Sequence, residues 1–321
     1  MIHSNVSCRM LSALVVLTAL AVHGPASLDA QGQLFKSGID MVPLTVTVTD
    51  ATGRYVTGLT GDDFTVLENG VEQPLSFFAC AEVPVDVALV LDTSGSMRAD
   101  LPLVQSAALG LVSKLRATDR AAVVEIKDFA RMPQPFTGDL ALVDRAIRGL
   151  KTSGDTALYD GLYVALKEFE RERRAAVQVR RRALVVLSDG LDTRSHLAFD
   201  EVLDLARRVA VNVYVVELKG ELASVPRNQL DGSVLNAEYA MKTVARETGG
   251  RLYLPKFGAD LPAIYAAIAQ ELASQYELGY TPLRPGTDGA FRRVAVRLRP
   301  ETNAVARTRS GYYAPGAAKG M

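Results

Sequence analysis

The chain has 321 residues, of which 48% are hydrophobic, and it carries 36 lysines and arginines against 36 aspartates and glutamates. This length allows one large domain or two modest ones, and the apolar content can supply a sizeable core. The balanced charge gives no support to a nucleic-acid-binding protein or a membrane-surface protein.

Residues 1–30 are predicted to be a signal peptide. Arg9 precedes the uncharged apolar stretch 10–22, which has the length of a signal-peptide core and is too short to span a bilayer comfortably. Small residues follow, with candidate cleavage sites after Ala26 and Ala30. An uncleaved membrane anchor is the alternative. We expect an exported product, periplasmic or secreted, with no membrane span after processing.

Removal of residues 1–30 leaves one histidine, His196, and one cysteine, Cys80. An intrachain disulfide and a Cys/His zinc site are then excluded. A Ser-His-Asp site has to use His196. Because Cys80 lies in an apolar stretch, it is predicted to be a small buried residue.

Residues 31–83 have the pattern of an N-terminal β segment. The strand predicted over 44–49 alternates apolar residues with threonines, as in a half-buried strand. Asn69-Gly70 is a hairpin signal before a further strand at 71–78. The segment is short for an independent β domain, so it is expected to need strands from elsewhere.

From residue 84 to residue 276 the pattern changes to alternating strands and helices. The predicted strands are 87–91, 121–126, 183–188, 211–218 and 251–254, and the predicted helices are 101–115, 140–150, 158–169, 197–209, 235–248 and 261–272. The apolar run 87–91 is typical of a strand buried in a parallel sheet. The alternation predicts an α/β fold with a doubly wound, mostly parallel sheet.

Residues 277–313 return to a β pattern, and 314–321 are predicted to be a frayed tail. Apolar and polar residues alternate over 293–299, and a short strand follows at 304–309. We predict that these strands pack with 31–83 as a small β-sandwich. The α/β domain is then an insertion between the two halves of the sandwich.

Oxygen donors follow several of the predicted strands at one edge of the sheet. Asp92, Ser94 and Ser96 follow the first strand of the α/β domain, Thr156 lies near the start of a helix, and Asp189 ends the third strand. The carboxyl edge of an open α/β sheet is where ligands bind. These donors suit Mg²⁺ or another hard divalent cation, and they suit zinc or copper poorly.

The three loops together resemble the metal-ion-dependent adhesion site (MIDAS) of the von Willebrand factor A (VWA) domain, a Rossmann-like fold. Asp92-Thr-Ser94-Gly-Ser96 matches the family's Asp-x-Ser-x-Ser motif, and Thr156 and Asp189 match its second and third loops. The resemblance covers about residues 85–275. The flanks resemble a bacterial group of exported proteins, the VWFA-related domain proteins common in Acidobacteria. The residues that carry this second resemblance are Val46-Thr-Val-Thr-Asp50, Leu59-Thr-Gly-Asp62-Asp-Phe64, Glu68-Asn-Gly70-Val71 and Gly311-Tyr-Tyr.

The resemblance implies a mechanism of adhesion. Ser94, Ser96 and Thr156 coordinate Mg²⁺ (or Mn²⁺ or Ca²⁺) directly or nearly so, and Asp92 and Asp189 act directly or through water. An Asp or Glu of a partner protein takes the open position, attracted by a cation that keeps much of its charge. In some family members ligation also moves the last helix.

Three features leave alternatives open. Asp155 stands where many relatives have glycine, and it is expected to cap a helix N-terminus, with increased cation affinity as the alternative. Asp192 is expected to be a solvated loop residue or an acceptor behind the metal ligands. The run 171–182, with six arginines, is expected to be a solvated helix end and loop or an acidic-partner patch.

Two other functions are considered beside a non-enzymatic adhesion module. A Mg²⁺-dependent phosphohydrolase needs a second Asp two residues after Asp92, where this chain has Ser94. It also needs a lysine near the third strand, which 183–192 lacks. Ser94 and Ser96 do not lie in a G-x-S-x-G motif. A structural envelope protein with a vestigial metal site is the other alternative.

The split sandwich predicts how fragments of the chain behave. Residues 84–276 expressed alone are expected to fold, whereas residues 31–83 alone are not, because their partner strands are missing. Circular dichroism during thermal denaturation measures both. A cooperative transition in fragment 31–83 would contradict the split sandwich.

Overall fold

Strands from both ends of the chain pair with each other around a central α/β region. The computed structural model describes residues 41–80, 83–175, 179–218, 225–255 and 260–316, so the predicted signal peptide lies outside the described residues. None of the described helices is both long enough and apolar enough to cross a bilayer.

The strands are β1 (Val42–Asp50), β2 (Phe64–Glu68), β3 (Val71–Gln73), β4 (Leu75–Ala79), β5 (Val85–Asp92), β6 (Arg120–Ile126), β7 (Ala130–Thr137), β8 (Arg181–Ser188), β9 (Asn212–Glu217), β10 (Leu252–Tyr253), β11 (Tyr276–Tyr280), β12 (Phe291–Leu298), β13 (Ala304–Arg307) and β14 (Gly311–Tyr313). The helices are α1 (Leu101–Val112), α2 (Leu140–Arg148), α3 (Leu158–Ala175), α4 (Phe199–Val209), α5 (Gly232–Glu247) and α6 (Leu261–Ser274).

The flanking strands form two four-stranded antiparallel sheets, in the orders β13-β1-β11-β4 and β14-β12-β2-β3. Leu44 of β1 lies opposite Leu278 of β11, and Val66 of β2 lies opposite Val296 of β12. The inward-facing residues of both sheets share one apolar core. The predicted sandwich of N- and C-terminal strands is therefore confirmed as part of the fold class.

The prediction of one strand over 71–78 was wrong, since this segment forms two strands in different sheets. β3 pairs with β2 across Asn69-Gly70, whose φ angles of 48° and 83° are those that a tight hairpin turn needs. Pro74, which has no N–H to donate, separates β3 from β4. β4 then pairs with β11 in the other sheet.

The central sheet has six strands in the order β10-β9-β8-β5-β6-β7. The first five are parallel, and β7 is antiparallel to β6 at one edge. Separate apolar clusters on its two faces contain the helices α1, α2 and α6 on one side and α3, α4 and α5 on the other. This arrangement confirms the predicted doubly wound, mostly parallel sheet. The sequence pattern missed β7, whose prolines 133 and 135 are tolerated on an edge strand.

Two expectations about burial were wrong. Cys80 is exposed, because it follows the last residue of β4 rather than lying within the strand. The arginine run is solvated on α3, but Arg181 at the start of β8 is only 2% exposed. Its guanidinium donates to the carbonyl oxygens of Val83, Leu272 and Gln275.

A buried polar cluster joins α6 to the sandwich. Glu271 of α6 is fully buried and accepts hydrogen bonds from Thr47 of β1 at 3.0 Å and from Tyr214 of β9 at 2.8 Å. Arg307 of β13 forms an ion pair with the same carboxylate. Because α6 leads directly into β11, this cluster fixes the junction between the α/β region and the sandwich.

Replacement of Glu271 by alanine tests that junction. Glu271→Ala is expected to lower the free energy of unfolding by about 3 kcal/mol or more, because it leaves Arg307 without its carboxylate and buried hydroxyls without their acceptor. Asp144→Ala, which breaks an exposed ion pair with Arg148, is expected to cost less than about 1 kcal/mol. Urea denaturation followed by circular dichroism measures both, and equal losses would contradict the assigned role of Glu271.

Candidate metal centre

The candidate site is built on the neighbouring strands β5 and β8. Leu91 lies opposite Leu187, so Asp92 and Ser188 come next to each other where these two strands end. Asp92 is fully buried. Its carboxylate accepts a hydrogen bond from the Ser188 hydroxyl at 2.6 Å and another from the Ser94 amide at 2.9 Å. Asp92 therefore fixes the start of the loop that follows β5.

The electrostatic environment of Asp92 favours a nearby positive charge. Burial raises the pKa of Asp92 to about 6, opposed by the hydrogen bonds from Ser188 and Ser94, and the negative charge of Asp189 acts in the same direction as burial. No described lysine or arginine forms an ion pair with this carboxylate. A cation close to it stabilises the ionised form.

A row of oxygen atoms runs outward from this buried carboxylate. The hydroxyl oxygens of Ser94 and Ser96 lie 3.0 Å apart. The Ser96 hydroxyl donates to a carboxylate oxygen of Asp189 at 2.8 Å. Ser94 is buried and Ser96 is exposed, so the row opens to solvent at Ser96. The structure thus brings together four of the five predicted site residues through direct contacts.

The second loop is held against the first by its backbone. The amide of Gly95 donates to the carbonyl oxygen of Gly154 at 2.8 Å. The amide of Ser153 donates to the carbonyl oxygen of Thr93 at 2.9 Å. Gly154 has a φ angle of 69°, and a Cβ atom there would lie 2.0 Å from a carboxylate oxygen of Asp128. This position therefore requires glycine.

The fifth predicted residue, Thr156, is buried at the end of this second loop, just before α3. Its amide donates to the Thr193 hydroxyl at 3.1 Å, and its carbonyl oxygen accepts from the Thr193 amide at 2.9 Å. No hydrogen bond to the Thr156 hydroxyl occurs among the described residues. The backbone contacts fix Thr156 between the first and third loops and leave its hydroxyl available as a ligand.

The cap of α3 comes from the third loop and not from Asp155. One carboxylate oxygen of Asp192 accepts from the amides of Leu158 at 2.8 Å and Tyr159 at 3.3 Å. Asp155 is exposed, and among the described residues its carboxylate forms an ion pair with Arg194 alone, at 3.8 Å. The expectation that Asp155 caps a helix was therefore wrong. Asp192, expected to be a solvated loop residue or an acceptor behind the metal ligands, is a half-buried loop residue that accepts from the first amides of α3.

Sequence reasoning also missed the roles of Ser188 and Thr193. Ser188 carried a usable signal, because it directly precedes Asp189 at the end of a strand adjacent to β5. Thr193 carried none, since its contact with Thr156 joins loops 37 residues apart. A contact at the ends of adjacent strands can be inferred from the residues next to the motif. A contact between two distant loops cannot.

The donor set of the site fits a small, hard cation. Mg²⁺ binds oxygen at about 2.0–2.1 Å in an octahedron, so adjacent ligand oxygens lie about 2.9 Å apart. The oxygen atoms of Ser94, Ser96 and Asp189, which are hydrogen-bonded at 3.0 and 2.8 Å, lie close enough together to bind one such cation. Within the described part of the chain, no group of three or more His, Cys, Asp or Glu side chains is arranged to hold a metal. A candidate site in this part of the chain therefore depends on hydroxyl groups.

Comparison with known proteins agrees with this fold. Residues 87–191 match the family model described as the von Willebrand factor type A domain. The chain therefore contains a domain of the von Willebrand factor A family. The match includes most of β5, all of β8 and all five predicted site residues.

One relative is similar to this chain over part of its length. A protein of Synechocystis sp., described as uncharacterized, is 34% identical over 113 residues, which are 34% of this chain and 26% of that protein. The match thus spans about a quarter of that relative's length.

Solved structures show a likeness of fold. A von Willebrand factor type A structure from Catenulispora acidiphila has a TM-score of 0.50 at 13% identity, covering 89% of this chain and 76% of that one. Proximal thread matrix protein 1 from the mussel byssus, solved with a zinc-occupied MIDAS motif, has a TM-score of 0.46 at 16% identity, covering 64% and 49%.

Two aspartate substitutions test the assignment of the helix cap. Asp192→Ala is expected to lower the free energy of unfolding by about 1–2 kcal/mol, because it removes the acceptor for the first amides of α3. Asp155→Ala removes only an exposed carboxylate and is expected to change the free energy of unfolding by less than about 0.5 kcal/mol. Urea denaturation of the two variants compares them, and the reverse order of effects would return the cap to Asp155.

Proposed function

We propose that this chain is an exported protein-binding module. It holds Mg²⁺ at Asp92, Ser94, Ser96, Thr156 and Asp189, and through the cation it binds an aspartate or glutamate side chain of a partner protein. The observation that carries this proposal is the hydrogen-bonded row of Ser94, Ser96 and Asp189 oxygens beside the buried carboxylate of Asp92. The predicted membership of the Acidobacteria-type group and the signal peptide at 1–30 belong to the same proposal.

The charge of the donors supports a role in binding an anion. The three hydroxyl ligands are neutral, so they leave the cation most of its positive charge. Asp92 already accepts hydrogen bonds from Ser188 and Ser94, and Asp189 accepts them from Ser96 and Leu191. In this proposal Asp189 orients the Ser96 hydroxyl, and Asp92 fixes the backbone of Ser94. When bound, the cation supplies a Lewis-acidic centre that attracts an external carboxylate.

The numbers of carboxylates and hydroxyls favour Mg²⁺ among the expected cations. Mg²⁺ is usually bound through one or two carboxylates and keeps several waters, whereas Ca²⁺ takes six to eight oxygen ligands. Mn²⁺ shares the preference of Mg²⁺ for oxygen ligands. It therefore serves as a spectroscopic substitute for Mg²⁺.

The environment of the candidate catalytic groups supports binding rather than turnover. Asp92 is fully buried, and both of its oxygens accept hydrogen bonds, so a phosphoryl group has no open approach to it. The side chain of His196 is 89% exposed and contacts Asp160, not a serine hydroxyl. Neither arrangement provides an activated nucleophile.

Calorimetric titration with Mg²⁺ tests the cation site. The unaltered protein is expected to bind one Mg²⁺, and Ser94→Ala/Ser96→Ala is expected to bind none detectably, because two ligands are removed. Ser106→Ala/Ser113→Ala, which removes two exposed hydroxyls from α1 and the residue after it, serves as the matched control and should bind as the unaltered protein does. No heat of binding in a folded, unaltered protein would favour the vestigial-site alternative.

Capture experiments then test the partner. The immobilised protein is incubated with envelope and culture fractions in Mg²⁺ or in EDTA. The expected prey is retained only with Mg²⁺, is lost with Ser94→Ala/Ser96→Ala and is kept by the control variant. Retention that ignores both EDTA and the double variant would contradict a cation-mediated contact.

A further inference from the structure

A cavity of about 670 Å³ lies between the sandwich and the α/β region. It borders the first residues of β8 and β9, such as Arg182 and Asn212, whereas the candidate metal centre follows the last residues of β5 and β8. The two sites therefore lie at opposite ends of the strands of the central sheet. Six arginines line the cavity, namely Arg173, Arg180, Arg182, Arg207, Arg208 and Arg309.

The positive charge of this arginine cavity is only partly balanced. Arg180 pairs with Asp86 at 2.7 Å, and Arg207 pairs with Glu247 at 3.1 Å. For the other four arginines, no described carboxylate lies within ion-pair distance. The cavity thus gathers guanidinium groups that the described part of the protein does not neutralise.

Arg309 is the strongest sign of a missing ligand. It is only 8% exposed, and its guanidinium donates to the carbonyl oxygen of Pro43 at 2.8 Å. Its Nε atom is buried without a hydrogen-bond partner among the described residues. Burial lowers the pKa of Arg309 to about 10. A buried guanidinium with no described carboxylate within ion-pair distance is costly, and an anion bound in the cavity reduces that cost.

Glu277, the acidic residue among those lining the cavity, balances only part of the positive charge of the arginines. Glu277 is 4% exposed and accepts a hydrogen bond from the Thr45 hydroxyl at 2.8 Å. Burial raises the pKa of Glu277 to about 7, so a fraction of this carboxyl is neutral at physiological pH. The net charge of the cavity lining stays strongly positive.

The remaining walls suit a small molecule. Tyr312, Tyr313, Pro282 and Pro285 line the cavity, and the Arg208 guanidinium lies 4.6 Å from the centre of the Tyr313 ring. The volume falls within the range of about 300–1,000 Å³ typical of ligand pockets. The combination of apolar walls and guanidinium forks is suited to a ligand with several oxyanion groups.

We propose that the arginine cavity binds a small multivalent anion, carrying two or more phosphate or carboxylate groups, independently of the metal centre. Guanidinium groups pair bidentately with both oxyanions. Binding neutralises Arg309 and its unpaired neighbours.

Isothermal titration calorimetry with pyrophosphate and with citrate, at constant ionic strength and in EDTA, tests this proposal on the full chain. At least one of the two probes is expected to bind with one-site saturation. Arg173→Gln/Arg208→Gln is expected to weaken binding at least tenfold, and because both side chains are exposed the variant should fold. Arg145→Gln/Arg174→Gln removes two exposed arginines that do not line the cavity, and it should change the affinity less than twofold.

The outcomes separate the ligand classes and the two sites. Preference for pyrophosphate identifies a phosphorylated ligand, and preference for citrate a polycarboxylate. Ser94→Ala/Ser96→Ala should leave anion binding intact, whether or not it binds Mg²⁺. The proposal is overturned if neither probe binds, if both arginine variants weaken binding equally, or if the serine variant abolishes it.

Discussion

The hydrogen bond from Ser188 to the buried carboxylate of Asp92 is the constraint on which the candidate metal centre depends. It joins two adjacent parallel strands at the point where both end, at a distance of 2.6 Å. The second oxygen of Asp92 fixes the Ser94 amide, and this sets the path of the first loop. The Ser94 and Ser96 hydroxyls and the Asp189 carboxylate then fall into one row. A buried carboxylate that forms no ion pair with a described lysine or arginine thus fixes the loop that carries the two serine hydroxyls.

The fold separates two electrostatic regions along the same sheet. β8 ends at Ser188, beside the candidate metal centre, and begins near Arg182, beside the arginine cavity. The first region combines carboxylates with hydroxyls, and the second gathers guanidinium groups. The sandwich contributes Arg309, Tyr312 and Tyr313 to the second region. The Glu271 cluster holds the sandwich against α6. The flanking strands therefore complete a surface of the α/β region as well as packing with each other.

Local sequence patterns predicted the features that depend on strand ends. The apolar run before Asp92 and the Ser-Asp-Gly at 188–190 both mark the carboxyl edge of a parallel sheet, so their proximity follows from topology. The cap by Asp192 and the burial of Arg181 could not be predicted in this way, because each depends on a loop or helix far away in the chain. β7 was missed because its two prolines interrupt the strand pattern. Pro74 was a break signal that the prediction of one strand over 71–78 disregarded. The burial of Arg309 without an ion pair to a described carboxylate could not be predicted either, because it depends on how the sandwich packs against the α/β region.

In the proposed function, the three loops hold one divalent cation. Anomalous diffraction from a crystal soaked in Mn²⁺ tests it most directly, because manganese can be located without assumptions about ligands. We expect a single strong peak within coordination distance of the Ser94 and Ser96 hydroxyls, with Thr156 and Asp189 beside it. Manganese bound elsewhere on the protein, with no peak among these loops, would contradict it.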